Sequence, residues 1–212
     1  MRRACRPVRS ACLSGAAGAA RTSTRDIART AIQSELAKVA FDLFRREGFE
    51  KVTVNDLAAA SGVSRSTFLR YFGSKEDAVL GAVDGQGEQV ADAVRARPAG
   101  EDDRTALRRA LDTVTESYRQ APDGALAMSR LIMETPALGA RTLEKQNGWR
   151  PVIAQALAER GDPSRPTALG PLVRAAAAVD CLNIAVNHWT ASDGHLDLDD
   201  LLDEAFAALA PR

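Results

Sequence analysis

Two arginines and four hydroxyl side chains lie within one short stretch, residues 64–71, of sequence SRSTFLRY. Arg65 and Arg70 carry planar guanidinium groups, which donate paired hydrogen bonds to phosphates and to the edge of guanine. The hydroxyl groups belong to Ser64, Ser66, Thr67 and Tyr71. Donors of these types, gathered in one place, are suited to binding phosphates and base edges.

These donors require a scaffold that holds a short helix with one face outward. The apolar spacing predicts helices over Val54–Ala60 and residues 64–71, and neither is long enough to be stable alone. Thr53 and Asp56 have the spacing of an N-terminal capping box for the first helix. The first helix ends at Ser61 and Gly62, which form a tight turn.

A third helix, predicted over residues 26–47, completes a small shared core. The expected core residues are Leu36, Val39, Ala40, Phe44, Val54, Leu57, Phe68 and Phe72. Three helices that share one core, with a tight turn between the last two, form a helix-turn-helix unit. The outer face of its last helix can enter a DNA major groove, which is about 12 Å wide.

The segment VTVNDLAAASGVSRSTFLRYFGSKE, residues 52–76, resembles the DNA-binding signature of the tetracycline-repressor-like (TetR) family. The resemblance implies a homodimeric transcriptional regulator, usually a repressor, that binds a palindromic operator in double-stranded DNA and is released by a small-molecule effector. Two positions depart from the family pattern. Ser66 stands where Gly is common, and Leu69 replaces an aromatic residue that usually touches the DNA backbone.

The resemblance and the side-chain chemistry together predict roles for the donors. Base-edge contacts are expected from Arg65 and Arg70, and Ser66 is short enough to let the helix approach closely. Phosphate contacts are expected from Thr53, Ser64, Thr67, Tyr71 and Lys75. A backbone-binding arm is expected from Arg21, Arg25 and Arg29. The alternative for each arginine is a solvated surface residue.

Charge is distributed unevenly along the 212 residues, although the net charge is zero. Residues 1–75 hold 14 Lys and Arg against 6 Asp and Glu, which leaves 14 against 22 for the remainder. This asymmetry suggests that the front of the chain meets a polyanion. Alternatively, it reflects the Arg-rich residues 1–24, which we interpret as a disordered extension and not as a signal peptide.

The composition predicts an all-α protein. Hydrophobic residues make up 45% of the chain, Ala is abundant, and strand-like runs of Val, Ile and Thr are missing. We expect a helix-turn-helix DNA-binding domain over residues 25–74 and a ligand-binding and dimerisation domain over 75–212. Helices in the second domain are predicted over residues 75–97, 103–120, 123–134, 136–161, 166–191 and 198–209.

The second domain lacks the patterns of catalytic and metal sites. It contains no Gly-rich phosphate loop, no HExxH and no nucleophile triad, so we expect neither an enzyme nor a cofactor. A predicted break separates His188 from His195, which argues against a shared metal site. The three cysteines fit neither a disulfide framework nor zinc, and Cys181 is expected to be buried. We expect a cytoplasmic protein without a transmembrane helix, since we find no apolar run of 18 residues.

Several residues of this domain are candidates for ligand contacts. Asp180, Asn183 and Asn187 follow helical spacing on an otherwise apolar helix. Such polar groups line a pocket, form hydrogen bonds across a dimer interface or face solvent, and the sequence leaves all three open. Further candidates are Met128, Leu131 and Trp149, for which the alternative is ordinary core packing.

The last two predicted helices have the features of a dimer interface. Apolar residues at helical spacing in the final helix are Leu198, Leu201, Leu202, Ala205, Phe206 and Leu209. Two helices from each protomer would form a four-helix interface, as the family resemblance also implies. The alternative is that these residues pack only within their own protomer.

A second resemblance concerns the segment METPALGARTLEKQNGWRPVIAQALAER, which is similar to the C-terminal domain of the mycofactocin-regulator subgroup. It implies an acyl-CoA-like or small apolar effector. It also makes Arg130, Arg141 and Arg150 candidates for contacting the phosphates of a CoA group.

The expected mechanism is a change in the separation of the two recognition helices. These helices must lie about 34–36 Å apart to enter successive major grooves, and a ligand that displaces the helix over residues 75–97 would spoil this spacing. Gly81, Gly85 and Gly87 either bend that helix or allow a neighbour to pack closely. The alternative function is a helical protein-interaction or ligand-carrier module with a non-functional helix-turn-helix.

Overall fold

The computed structural model describes residues 24–161 and 169–209, and all regular secondary structure within these ranges is helical. The α-helices are α1 (Thr24–Glu47), α2 (Val54–Ala60), α3 (Arg65–Phe72), α4 (Lys75–Leu80), α5 (Gln86–Ala96), α6 (Asp103–Ala110), α7 (Asp112–Gln120), α8 (Pro122–Glu134), α9 (Pro136–Arg160), α10 (Leu169–Ala191) and α11 (Leu198–Ala208). A 3₁₀ turn, Gly81–Val83, lies between α4 and α5. The all-α prediction is confirmed.

The first four helices enclose the small core that the sequence predicts. Six of the expected residues are buried, namely Leu36, Ala40, Phe44, Leu57, Phe68 and Phe72, whereas Val39 and Val54 are half-buried. Phe49 follows the end of α1 and folds back against Phe44, with ring centroids 4.8 Å apart. Leu138 of α9 completes this core, so the N-terminal bundle is packed directly onto the rest of the chain.

A second, larger core lies among α5, α6, α7, α9, α10 and α11. Its fully buried side chains include Leu111, Ile153 and Leu157. Cys181 is buried here, as predicted, and is a free thiol; Cys5 and Cys12 lie outside the described residues. Arg108 is buried at the edge of this core, where it donates to Asp112 at 2.6 Å and to Asp203 of α11.

The predicted helix over residues 75–97 is wrong, because it is interrupted after Leu80. Gly85 adopts a left-handed conformation with φ of +81°, which glycine reaches without a steric penalty. Gly87 serves a different purpose, since a β-carbon there would lie 2.6 Å from the Trp149 ring. The two interpretations of these glycines therefore hold at different positions, with a break at Gly85 and close packing at Gly87.

The predicted helix over residues 103–120 is divided at Leu111. The backbone at Leu111 remains right-handed helical, and its carbonyl accepts from both Val114 (2.9 Å) and Thr115 (3.1 Å). A local tightening from i+4 to i+3 bonding thus separates α6 from α7 without changing the direction of hydrogen bonding. The other predicted bounds agree closely, although the start of the helix predicted from Pro166 lies outside the described residues.

The final helix, α11, uses most of its apolar residues within its own protomer. Leu198, Leu202 and Phe206 of α11 are buried within their own protomer, whereas Leu209 is 52% exposed. Most of the stripe assigned to a dimer interface therefore packs internally. Its residues must cover the apolar side of α10, which explains why the periodicity alone was ambiguous.

The apolar character of α10 is greater than the sequence analysis allowed. Within residues 24–161 and 169–209 it is the one helix whose length and composition would suffice to cross a membrane, with a mean hydropathy of 1.5 over 18 residues. The expectation that no such stretch exists is therefore wrong. Length and composition are weak evidence for a span, because core helices have the same character, and α10 packs against α8, α9 and α11.

Candidate DNA-binding surface and ligand cavity

Local hydrogen bonds fix both the start of α2 and the turn between α2 and α3. Thr53 and Asp56 form the predicted capping box, with the Thr53 amide donating to the Asp56 carboxylate at 2.9 Å. The bond from the Thr53 hydroxyl, together with this backbone bond, holds the pKa of Asp56 below its usual range. Gly62 has a φ of +68°, and the next amide, that of Val63, donates back to the Ala58 carbonyl at 3.0 Å. The turn therefore sets the direction in which α3 leaves α2.

Helix α3 presents its donors outward from the bundle. Phe68 and Phe72 are buried beneath it, with ring centroids 5.0 Å apart. Arg65, Ser66 and Arg70 are exposed on the opposite side. The guanidinium of Arg65 forms no hydrogen bond or ion pair with the described part of the chain. The two arginines predicted to read bases thus lie on the same exposed helix.

Two of the hydroxyl groups predicted to contact phosphates, those of Thr53 and Ser64, already serve as helix caps. Ser64 accepts from the Thr67 amide at 3.1 Å and donates to the Thr67 hydroxyl at 2.9 Å. The Thr53 hydroxyl donates to the Asp56 carboxylate at 2.6 Å. Contact with a phosphate requires the Thr53 and Ser64 hydroxyl groups to exchange the bonds that they donate, whereas Thr67 only accepts from Ser64 and keeps its own proton available.

Tyr71 joins α3 to α1. Its backbone carbonyl accepts from Gln33 at 3.3 Å, and the guanidinium of Arg29 lies 5.7 Å from the ring centroid. Arg70 faces the same ring at 6.0 Å. Of the predicted arm, Arg29 therefore lies beside α3 and Arg25 is exposed on α1. Arg21 lies outside the described residues.

Lys75 has a structural role that the sequence analysis did not anticipate. Its ammonium group donates to the carbonyls of Phe49 (3.0 Å) and Val52 (3.5 Å) and lies 4.2 Å from the Phe49 ring centroid. These contacts connect the start of α4 to the loop after α1. The predicted phosphate contact of Lys75 stays a prediction.

A cavity of about 90 Å³ lies among α7, α8, α9 and α10 and is bordered by the 3₁₀ turn. Three predicted ligand residues, Trp149, Asn183 and Asn187, line it. The sequence analysis missed Thr142 and Gln146 in its α9 wall. Their spacing with Trp149, i, i+4 and i+7, places all three on one face of α9 and could have indicated them.

The other two predicted ligand residues lie elsewhere. Met128 and Leu131 of α8 do not line this cavity but pack against the core of the N-terminal bundle. They were predicted to contact a ligand because they are apolar residues at helical spacing. That spacing reports burial but does not distinguish a cavity from a packed contact.

An ion cluster connects the N-terminal bundle with α9. Asp77 in the first turn of α4 accepts from Arg141 at 3.1 Å and pairs with Lys145 at 3.0 Å. Lys145 also pairs with Asp84 at 2.5 Å. Burial raises the pKa of Asp77, but the bonds from Lys145, Ser74 and Arg141 outweigh burial and leave the pKa below its usual range. Asp77 is therefore a charged link between the two parts of the chain.

The remaining polar candidates are exposed or paired. Asp180 pairs with Arg150 at 3.0 Å on the surface. His188 and His195 are both exposed, and no group of His, Cys, Asp and Glu within residues 24–161 and 169–209 could hold a metal ion.

Comparison with known proteins connects this architecture to a family. The model described as "Bacterial regulatory proteins, tetR family" matches residues 36–81, and that described as "MftR C-terminal domain" matches residues 102–212. The putative mycofactocin biosynthesis regulator MftR of Mycobacterium tuberculosis is 30% identical over 84% of this chain and 89% of its own length. The regulator TcmR of Streptomyces glaucescens is 34% identical over 64% of this chain, and the match spans 62% of TcmR.

A solved structure has the same fold. Thermus thermophilus FadR, a TetR-family repressor in complex with lauroyl-CoA, superposes with a TM-score of 0.54 at 22% identity, covering 85% of this chain and 96% of FadR. The helix-turn-helix at its N-terminus and the MftR-type domain that follows show that this chain belongs to the TetR family of DNA-binding transcriptional regulators.

Proposed function

We propose that this protein is a homodimeric cytoplasmic repressor that leaves a palindromic operator when a small effector occupies the α7–α10 cavity. The observation that carries the proposal is the exposed face of α3, where Arg65 and Arg70 are held outward by the burial of Phe68 and Phe72. No catalytic step is part of this function.

The proposed DNA contacts divide into two classes. Arg65 and Arg70 read base edges in the major groove, because a guanidinium matches the two acceptors of guanine. Thr53, Ser64, Thr67, Tyr71 and Lys75 are proposed at phosphates, where their hydroxyl groups and charge fix the register of the helix. Arg29 lies near enough to Tyr71 to extend the phosphate-binding surface along α1.

The proposed dimer interface centres on α10. This helix exposes Val173 (58%) and Ile184 (54%), which lie about three turns apart on one side, and Leu172 (43%) next to Val173. An exposed apolar stripe of this length indicates a surface that is covered in the functional protein. Association of two such stripes would give each operator half-site one recognition helix, as two-fold symmetry requires.

The proposed coupling passes through α9 and the 3₁₀ turn. Trp149 and Gln146 of α9 line the cavity, whereas Arg141 and Lys145 of the same helix hold Asp77. An effector that moves α9 therefore pulls on α4, which immediately follows α3. A coupling free energy of about 1–3 kcal/mol would change operator affinity about 5–150-fold.

The proposed CoA contacts gain little support from the arrangement of charges. Arg130 pairs with Asp193, Arg141 with Asp77 and Glu144, and Arg150 with Asp180. None of the three lines the cavity. We therefore propose a small effector, and we do not assign these arginines to it.

The test is binding to duplex DNA from upstream of the gene, measured by gel shift at low and high salt. We expect wild type to bind and to weaken with salt, because phosphate contacts release counterions. Arg65→Ala should lose about 5–150-fold in discrimination at one base pair of each half-site, the equivalent of about 1–3 kcal/mol. Arg109→Ala, which removes the same charge from an exposed site on α6, is the matched control.

A binding-site selection in which Arg65→Ala keeps the full base preference would refute the recognition role. Failure of wild type to bind duplex DNA even at low salt would refute the proposed function as a whole.

A further inference from the structure

We infer that the cavity takes a compact, uncharged ligand with an N–H or O–H donor, and that Gln146 recognises that donor. The inference deepens the proposed function and rests on it, since this ligand would be the effector. It follows from three properties of the cavity, namely the absence of charge in its wall, an unsatisfied amide oxygen and a small volume.

The cavity wall contains no charged side chain. Its polar residues are Gln86, Tyr118, Ser129, Thr142, Gln146, Asn183 and Asn187, and the rest are apolar. Burial raises the pKa of Tyr118, whose hydroxyl is hydrogen-bonded to Ser129, so this phenol stays neutral. A carboxylate or phosphate placed inside would find no counter-charge, and burying an unpaired charge is strongly unfavourable.

The positive charges of the hollow next to the cavity are already neutralised. Arg141 and Lys145 lie in a second hollow that shares Trp149 and Val83 with the cavity wall. Both are paired with Asp77, and they have Glu144 and Asp84 as further partners. This hollow therefore offers no unpaired positive charge to the anionic group of an effector.

Gln146 supplies the specific recognition group. Its side chain is 8% exposed, and its Oε1 atom has no hydrogen-bond partner in the described part of the chain. Buried amide oxygens nearly always have a partner, and a donor on a molecule bound in the cavity that Gln146 lines would supply one. Trp149 and Leu182 beside it are buried and apolar, whereas Asn187 and Met133 are exposed at the other end. The donor of the ligand thus points toward α9, with its apolar part against Trp149.

The volume of the cavity limits the size of the ligand. About 90 Å³ is far below the roughly 300–1,000 Å³ of sites for drug-sized molecules. It suits a molecule of about one ring better than a long acyl chain. Size and neutrality together therefore favour a compact neutral molecule over an acyl-CoA in this cavity.

The test uses four one-ring probes. p-Cresol has a ring and an O–H donor, anisole is its isomer without a donor, toluene lacks the oxygen, and 4-methylbenzoate carries a negative charge. Their affinities for the full-length protein are measured by calorimetry. We expect p-cresol to bind at least about tenfold more tightly than anisole or toluene, and 4-methylbenzoate to bind most weakly.

Fluorescence locates the binding site. The chain has two tryptophans, and Trp189 does not line the cavity. The Trp189→Phe variant therefore leaves Trp149 as the single reporter, and its emission should change with p-cresol in proportion to the binding measured by calorimetry on wild type.

Two matched variants test the role of Gln146. Gln146→Leu should lower p-cresol affinity about tenfold and remove its advantage over toluene, while toluene binds as well or better. Gln155→Leu, on the same helix but exposed and bonded to Glu159, should change neither affinity.

Equal affinities for p-cresol, anisole and toluene would overturn the inference. A higher affinity for 4-methylbenzoate or lauroyl-CoA than for p-cresol would also overturn it. An unchanged preference in Gln146→Leu, or no binding of p-cresol at millimolar concentration, would also overturn it. DNA binding by the same preparations separates the two proposals. If the protein binds DNA but not p-cresol, only this inference fails. If the protein binds no DNA, the proposed function fails, and the probe affinities still report on the cavity.

Discussion

Replacing Gly87 with Ala should destabilise the protein, although Ala is the better helix former. Gly87 is buried in the first turn of α5, directly against Trp149 of α9. A β-carbon would lie 2.6 Å from Cδ1, 2.7 Å from Cγ and 3.0 Å from Cβ of Trp149. Carbon atoms in favourable contact are about 3.5–4.0 Å apart, so α5 and α9 would have to separate by about 1 Å.

The expected magnitude follows from two opposing contributions. Overpacking a core costs about 1–3 kcal/mol, and Trp149 is only 5% exposed, so its ring has little room to move. The change from Gly to Ala in a helix contributes up to about 1 kcal/mol in the other direction. We therefore expect the free energy of unfolding to fall by about 0.5–2 kcal/mol.

The assay is urea unfolding followed by far-ultraviolet circular dichroism. Gly148→Ala is the matched control, because Gly148 lies in α9 next to Trp149 and a β-carbon there would meet nothing within 4 Å. This control should be neutral or stabilised by up to about 1 kcal/mol. If Gly87→Ala were as stable as Gly148→Ala, the close contact between α5 and Trp149 would not limit stability and the reasoning would be refuted.

Three further predictions concern the DNA-binding unit and the dimer. Lys75→Met should lower the free energy of unfolding by about 1–2 kcal/mol, because it removes the donor to the Phe49 carbonyl and the contact with its ring. If the salt dependence of DNA binding is weaker in this variant than in wild type, Lys75 also contacts a phosphate. If the salt dependence is unchanged, the role of Lys75 is structural only. Asp77→Asn should weaken the acid dependence of stability. The lowered pKa of Asp77 means that the unfolded state binds the proton more readily, so this contribution is complete at neutral pH and is lost as pH falls below about 4. Urea titrations from pH 7 to pH 3 would show the difference from wild type, and parallel curves would contradict it. Ile184→Glu places a charge on the exposed stripe of α10. It should shift the dimer to monomer in sedimentation and reduce operator affinity, and an unchanged dimer would place the interface elsewhere.

The sequence predicted the DNA-binding unit well because its signals are local. Thr53 and Asp56 bond within one turn of α2, and the left-handed Gly62 sets the turn to α3. The apolar spacing of Phe68 and Phe72 then decides which face of α3 is buried. Each of these features depends on residues at most a few positions apart, so the order of residue types is sufficient to reveal them.

The apolar residues of the second half were harder to assign. The periodicity of Met128, Leu131 and Leu202 correctly indicated that these side chains pack against other groups, but it did not identify those groups. The first two pack against the N-terminal core and the third against its own protomer. Burial against a core, a ligand or a second copy produces the same pattern, because all three remove the same side chains from water.

Local patterns in the sequence were sufficient for most helix bounds, for the caps of α2 and α3 and for the outward arginines of α3, because these follow from hydrogen bonds and periodicity within single helices. The breaks at Gly85 and Leu111 were not predicted. Only the tertiary structure decided that Lys75 reaches the Phe49 carbonyl, that Asp77 is held by Arg141, and that Gln146 is left without a partner. The physical reason is distance along the chain. Contacts between residues far apart in sequence depend on how helices pack, and packing is a property of the whole core that no local pattern records.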